Sequence, residues 1–89
     1  MIRRKLIIQN KLGLHARASA QLTQVASEFS SEIWLIKNQH RVNAKSIMGV
    51  MMLAAAQDAE IEIEVDGIDE QDALDKLSDL VDKKFGEIE

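Results

Sequence analysis

The sequence lacks cysteine, proline and tyrosine, and its aromatic residues are one tryptophan and two phenylalanines among 89 residues. Without cysteine, the chain can form neither a disulfide nor a thiolate metal site. Because aromatic side chains are few and basic residues are scattered, we do not expect a nucleic-acid-binding surface. The longest apolar run, residues 50–56, is too short to cross a bilayer, so membrane insertion is not expected. Nothing at the start resembles a signal peptide, which favours a cytoplasmic protein.

Hydrophobic residues account for 46% of the chain and charged residues for 29%, a balance typical of a soluble globular protein. We expect a single domain over residues 1–89, with a thin core. Charge is unevenly distributed: residues 1–45 carry eight basic and two acidic side chains, whereas residues 46–89 carry three and thirteen. This asymmetry indicates either a charged binding face or two halves that each solvate their own surface.

The spacing of apolar residues predicts the element order β-α-β-β-α-β-α. The clearest strand places Ile61, Ile63 and Val65 on one face and acidic residues on the other. Strands with one polar face and helices with one apolar stripe predict an α+β fold, in which helices cover one side of an antiparallel sheet. The predicted strands are Ile2 to Ile8, Ile33 to Lys37, Arg41 to Ala44 and Glu60 to Asp66, and the predicted helices run from Ala16 to Ser27, from Ser46 onward and from Glu70 to Lys83.

Several polar and aromatic residues have expected structural roles rather than chemical ones. Trp34 is expected on the open face of the sheet, packed on neighbouring side chains. Asp69 is expected to cap the last helix, and His40 to lie exposed beside a hairpin turn at residues 38–39. Two histidines without a spaced carboxylate cluster do not make a zinc site, so we expect no metal and no cofactor. The acidic residues Glu60, Glu62 and Glu64 are expected to form a solvated strand face.

His15 is the first candidate for chemistry, because it lies between the Gly13 loop and the start of the first predicted helix. Free amides and the dipole at a helix start favour an anion. Arg17 adds a cation whose planar fork matches phosphate oxygens. A neutral imidazole is a competent nucleophile near pH 7. These features suit a transient phosphohistidine, although a bare His-x-Arg is more often a surface or capping pattern.

Ser46 begins the second candidate segment and is expected to cap the short helix that follows. A phosphate on Ser46 would be tolerated at a helix start and would add negative charge to the surrounding surface. Val50 and Leu53 are the better core candidates of this helix. Met48 and Met51 then favour a flexible docking surface over ordinary core filling.

Two segments resemble those of one family, HPr, the histidine phosphocarrier of the phosphoenolpyruvate-dependent sugar phosphotransferase system. Asn10-Lys11-Leu12-Gly13-Leu14-His15-Ala16-Arg17 resembles its active-site segment. Asn43-Ala44-Lys45-Ser46-Ile47-Met48-Gly49-Val50-Met51 resembles its regulatory-serine segment. The chain length, the separation of the segments and the predicted element order agree with the family, so the resemblance covers nearly the whole chain.

The resemblance implies an open-faced β-sandwich with four antiparallel strands and three helices on one face. It implies that Enzyme I phosphorylates His15 on Nδ1, that Arg17 stabilises the charged group, and that the group passes to a IIA component. It also implies that HPr kinase/phosphorylase modifies Ser46 in many bacteria. We expect a monomer. The residues that match the family's docking patch are Ile47, Met48 and Met51.

The chain departs from the family pattern beside His15 and along the first helix. Ala18 stands where the family usually has proline, and Gln24 and Ser27 stand where many members have lysine. These departures keep a second function open: a regulatory binding module, of the nitrogen-branch or carbon-control type, whose phosphorylation state signals to kinases or transcription regulators. A purely structural interaction domain that uses the methionine patch is a third possibility.

Overall fold

A computed structural model describes residues 1–88 as a four-stranded antiparallel sheet with three helices against one face. The strands are β1 (Ile2–Ile7), β2 (Glu32–Lys37), β3 (His40–Asn43) and β4 (Glu60–Asp66), which lie in the order β1-β4-β2-β3. The helices are α1 (Ala16–Ala26), α2 (Ile47–Met52) and α3 (Glu70–Asp82), followed by a 3-10 turn at Lys84–Gly86. The predicted architecture and element order are confirmed; β4 agrees with its prediction at both ends, and no end of the other strands is displaced by more than one residue.

The alternating pattern of β4 determines which of its side chains face the core. Ile61, Ile63 and Val65 are buried on its inner face, as their alternation predicts. β4 pairs with β1 on one side and with β2 on the other, so that Leu35 of β2 lies opposite Ile63. β2 and β3 are joined by residues 38–39, whose φ values of 50° and 71° give the twist that a two-residue hairpin needs.

One hydrophobic core fills the space between the sheet and the helices. Leu22 of α1, Val50 of α2 and Leu77 of α3 are completely buried. Removing a side chain of this size from water stabilises the fold by about 1.5–3 kcal/mol. Leu53 is also buried, so the two core residues predicted for the second helix are confirmed.

Asp69 occupies the N-cap position of α3, as predicted, but its side chain makes no capping hydrogen bond to that helix. Its carboxylate accepts hydrogen bonds from the backbone amides of Ser30 and Ser31 at 2.9 and 3.0 Å, and from both serine hydroxyls. These bonds, with the Ser31 hydroxyl first, lower the pKa of Asp69 from 3.8 to about 2. The side chain therefore holds the α1–β2 connection rather than its own helix.

Glu64 is a second exception, because it is buried on the open face of the sheet. The Nε atoms of Arg3 and Arg41 lie 2.9 and 3.2 Å from its two carboxylate oxygens. The Arg41 guanidinium lies 4.0 Å from the centre of the Trp34 ring. The expected solvated face is thus wrong at Glu64, whereas Trp34 does pack on a neighbouring side chain.

Candidate functional site

The loop before α1 is shaped by Gly13, whose φ of 62° favours glycine. A Cβ at this position would lie 2.3 Å from the carbonyl oxygen of Ala55, so the close approach also requires glycine. The next residue, Leu14, donates its N–H to the same Ala55 oxygen at 2.8 Å. The buried Asn10 side chain donates from Nδ2 to the Gly13 carbonyl oxygen at 2.8 Å. These contacts attach the loop to the segment that follows α2.

His15 lies at the N-cap of α1 with extended backbone angles, φ −71° and ψ 178°. Its carbonyl oxygen accepts the first helical hydrogen bond from the Ser19 amide at 2.8 Å. The amides of residues 16–18 belong to the first turn, where no intrahelical acceptor is available. A proline at position 18 would remove one of these donors, and Ala18 keeps it. The Ser19 hydroxyl donates to the Leu14 carbonyl oxygen and is buried, so it serves the loop rather than an anion.

The imidazole of His15 contacts a carboxylate from the far end of the chain. Nε2 of His15 lies 2.5 Å from Oε2 of Glu87, which is 72 residues away in sequence. The other oxygen of Glu87, Oε1, accepts a hydrogen bond from Asn10 Nδ2 at 3.1 Å. The hydrogen bond with His15, then that with Asn10, lowers the pKa of Glu87, and the charge of Arg17 acts in the same direction. The carboxylate is therefore ionised near neutral pH.

Sequence reasoning missed Glu87, because nothing in its neighbours marks it as part of a site. The chain reaches His15 by turning after α3, where Lys84, Phe85 and Gly86 all have positive φ. The Phe85 ring is buried in the core and anchors this turn. A lone phenylalanine near a chain end is a weak signal, but it is the feature that could have indicated a packed tail.

Arg17 is exposed on the first turn of α1. It lines a cleft of about 560 Å³ together with Lys11, His15 and Glu87. The structure thus brings His15 and Arg17 to one cleft, as the His-x-Arg spacing predicts. The His15 side chain is 26% exposed and can be reached from solvent.

Ser46 is the N-cap of α2, as predicted, and its Oγ accepts a hydrogen bond from the Gly49 amide at 3.1 Å. Its residue surface is partly exposed. The neighbouring apolar side chains are open to solvent, with Met48 at 67% and Met52 at 77% exposure. Ile47 and Met51 are exposed as well. Helix α2, which carries this apolar patch (Ile47, Met48, Met51 and Met52), packs against α1, and Ala55 in the segment after it accepts the Leu14 amide of the His15 loop.

The remaining candidates stay apart from the cleft. His40 is exposed at the first position of β3, as expected of a histidine beside a hairpin. Across residues 1–88, no three His, Cys, Asp or Glu side chains are grouped as metal ligands. In the same part of the chain, none of the helices has the length and apolar character needed to span a membrane.

Comparison with known proteins places these features in one family. The family model described as "PTS HPr component phosphorylation site" matches residues 2–83. The phosphocarrier protein HPr of Neisseria meningitidis serogroup B is 58% identical over 87 residues, which is 98% of each chain. HPr of Cupriavidus necator is 54% identical over the same length and coverage.

Solved structures agree with this relationship. HPr-C-His from Thermoanaerobacter tengcongensis superposes with a TM-score of 0.96, at 46% identity over 100% of both chains. An HPr dimer from the same organism gives a TM-score of 0.79 at 47% identity, covering 98% of this chain and 100% of the other. Crh, the Bacillus subtilis catabolite repression HPr, matches at 42% identity with a TM-score of 0.67, covering 90% and 95%. The chain therefore belongs to the HPr family of phosphocarrier proteins of the phosphotransferase system.

Proposed function

We propose that this protein carries a phosphoryl group on His15, accepting it from phosphorylated Enzyme I and passing it to a IIA component. The observation that carries the proposal is the position of His15 at the start of α1, in one cleft with Arg17. The relay would take place between cytoplasmic proteins. The monomer is its proposed working form.

The chemistry needs a neutral ring nitrogen in line with phosphorus. The lone pair of Nδ1 attacks the phosphorus of the donor, the bond between phosphorus and the donor atom breaks, and the electron pair of that bond stays with the donor. In this proposal, the amides of the first turn and the Arg17 guanidinium balance the negative charge of the phosphoryl oxygens, which is supported by their position at the helix start and in the same cleft. The protein supplies position and charge, and the partner supplies the group.

Partner docking is assigned to the apolar patch. Its side chains are exposed, flexible and next to the His15 loop, which suits a surface that must fit two partners in turn. Ser46 lies at the edge of this patch and would acquire about two negative charges if a kinase such as HPr kinase/phosphorylase modified it. We propose that this modification weakens docking on an acidic partner.

Incubation with phosphoenolpyruvate and Enzyme I tests the carrier function. Wild type should acquire one acid-labile, base-stable phosphate, and His15→Ala should acquire none. His40→Ala is the matched control, because it removes the other histidine, which is exposed at the first position of β3, and it should behave as wild type. Labelling of His15→Ala at the wild-type level would show that the proposal is wrong.

The regulatory function is a second candidate, supported by the similarity to Crh, a catabolite repression HPr. Immobilised protein in four forms distinguishes the two functions: unmodified, phosphorylated on His15, Ser46→Asp as a mimic of a modified serine, and Ser46→Ala as its control. A relay protein should retain a purified IIA component, and retention should fall in Ser46→Asp but not in Ser46→Ala. Retention of a purified regulator by the Ser46→Asp form, with no transfer to IIA, would favour the regulatory function instead.

A further inference from the structure

The His15 ring of this chain has a carboxylate partner from outside the stretch that the family model matches. That match ends at residue 83, and the partner is Glu87 in the tail beyond α3. An ionised carboxylate can only accept hydrogen bonds, so the proton of the 2.5 Å contact belongs to Nε2 of the ring. In the neutral ring, Nδ1 is then the nitrogen with the free lone pair.

Both oxygens of Glu87 are occupied, which fixes the orientation of the carboxylate. Asn10 Nδ2 bonds to Oε1, and the same Nδ2 bonds to the Gly13 carbonyl oxygen of the His15 loop. Asn10 itself is completely buried. The tail is anchored from its other side by the buried Phe85. The contact to the imidazole therefore joins two parts that are each held by the core.

We propose that Glu87 is a positioning residue for phosphoryl transfer: it keeps the proton on Nε2 of His15, so that Nδ1 is presented as the nucleophile. This inference rests on the proposed carrier function. When Nδ1 bonds to phosphorus, the bond between phosphorus and the donor atom breaks, and its electron pair stays with the donor. Nε2 keeps its proton throughout, so the ring gains positive charge. The carboxylate at 2.5 Å balances that charge without a proton transfer.

A charged ring is also the better phosphoryl donor, because its nitrogen leaves as a neutral imidazole. The same carboxylate that helps His15 to accept the group thus helps it to pass the group on. Glu87 is expected to act in both half-reactions. Its effect should appear in the rate of the chemical step rather than in docking, since the apolar patch lies on α2.

Two substitutions of Glu87 test its contact with His15: one removes the side-chain acceptor, and the other removes the charge but keeps the size of the side chain. Glu87→Ala removes the acceptor altogether. Glu87→Gln offers one acceptor oxygen to two donors, Asn10 Nδ2 and His15 Nε2, and its amide must face one of them. Asp82→Asn is the matched control, because it removes one exposed carboxylate from the same end of the chain.

The first measurement is the tautomer of His15 in the unphosphorylated protein, read from ring nitrogen shifts by NMR at pH 9, where an imidazole is neutral. Wild type and Asp82→Asn should show one ring form, with the proton on Nε2. In Glu87→Ala and Glu87→Gln, the fraction with the proton on Nδ1 should rise several-fold. An unchanged tautomer in Glu87→Ala overturns the proposal, whatever happens to activity.

The second measurement is the rate of transfer from phosphorylated Enzyme I. Glu87→Ala should lower kcat about 10-fold with KM unchanged, the size expected for one charge-assisted hydrogen bond at a partly exposed site. A chain that ends after Gly86 keeps the Phe85 anchor and should match Glu87→Ala. A tautomer change without a loss of rate, or a loss of rate without a tautomer change, overturns the positioning role. If wild type accepts no phosphate, the proposed carrier function is wrong. The tautomer measurement needs no phosphate transfer, so it tests the contact between Glu87 and His15 independently of that result.

Discussion

Two carboxylates, Asp69 and Glu87, join distant parts of this chain, and they differ in what they hold. Asp69 lies 38 and 39 residues from its serine partners, whose amides and hydroxyls are permanent donors. Glu87 lies 72 residues from an imidazole that exchanges protons and, as we propose, carries phosphate. Hydrogen bonds lower the pKa of both carboxylates. The same chemical group therefore maintains structure at one end of the molecule and prepares chemistry at the other.

The largest expected effect comes from the loop that supports the Glu87 end. Gly13→Ala should destabilise the fold by roughly 2–4 kcal/mol, because the new Cβ combines a left-handed φ with overlap on Ala55. The contacts of Asn10 would be displaced with it, so transfer should fall as well. The free energy of unfolding in urea measures the loss.

Gly86→Ala is the control. Gly86 has a φ of 74°, but no atom lies within 4 Å of the position of a new Cβ, so this substitution should lower the free energy of unfolding by only about 1 kcal/mol. Equal losses would show that overlap at Gly13 is unimportant.

The next effect concerns the acid sensitivity of the Asp69 end. The folded pKa of about 2 lies below the ordinary value of 3.8, so this group stabilises the fold above about pH 4 and ceases to do so as pH falls towards 2. Asp69→Asn should lower the urea midpoint most at neutral pH, and the gap from wild type should narrow as acid is added. Phosphorylation of His15 should not change.

Asp72→Asn is the matched control for Asp69→Asn, since it lies exposed in the first turn of the same helix. It should leave the acid profile of wild type intact. If Asp69→Asn gave a constant difference from neutral pH down to pH 2, the serine bonds would not be responsible for the stability that Asp69 contributes.

The smallest expected change in stability comes from substitution of Glu87 itself. Glu87→Ala should change the free energy of unfolding by less than about 1 kcal/mol, as is usual for ion pairs near the surface. The contribution of Glu87 to the free energy of unfolding depends on pH in the same direction as that of Asp69, because the pKa of Glu87 is also lowered. This contribution is present above the ordinary pKa of 4.5 and is lost at lower pH. A loss of stability larger than that of Asp69→Asn would reverse the comparison between the two ends.

Elements with local patterns were predictable, and contacts between distant residues were not. The alternation of β4 and the apolar stripe of α3 predict their structure directly, because each needs only neighbouring positions. The cap at Ser46 follows from the residue and the helix start beside it. That His15 and Arg17 line one cleft was predictable for the same reason, since they lie two residues apart at the start of one helix.

The missed features all depend on side chains brought together by the fold. Asp69 precedes a helix, and only the folded chain shows that the serines before β2 occupy its carboxylate. Glu64 follows the polar alternation of its strand, but arginines from β1 and β3 enclose it. Glu87 reaches His15 through a turn in which Lys84 and Phe85, neither of them glycine, adopt positive φ. No local propensity predicts such a turn.

The stacking of Arg41 on Trp34 has a practical consequence for spectroscopy. Trp34 is the one tryptophan of the chain, and it lies on the open face of the sheet, away from the helices that hold His15. Its fluorescence is thus a built-in reporter of the sheet. The Trp34 emission should change on unfolding and stay constant during phosphoryl transfer. This one fluorescence signal can therefore distinguish a variant that unfolds from a variant that is folded but has lost phosphoryl transfer.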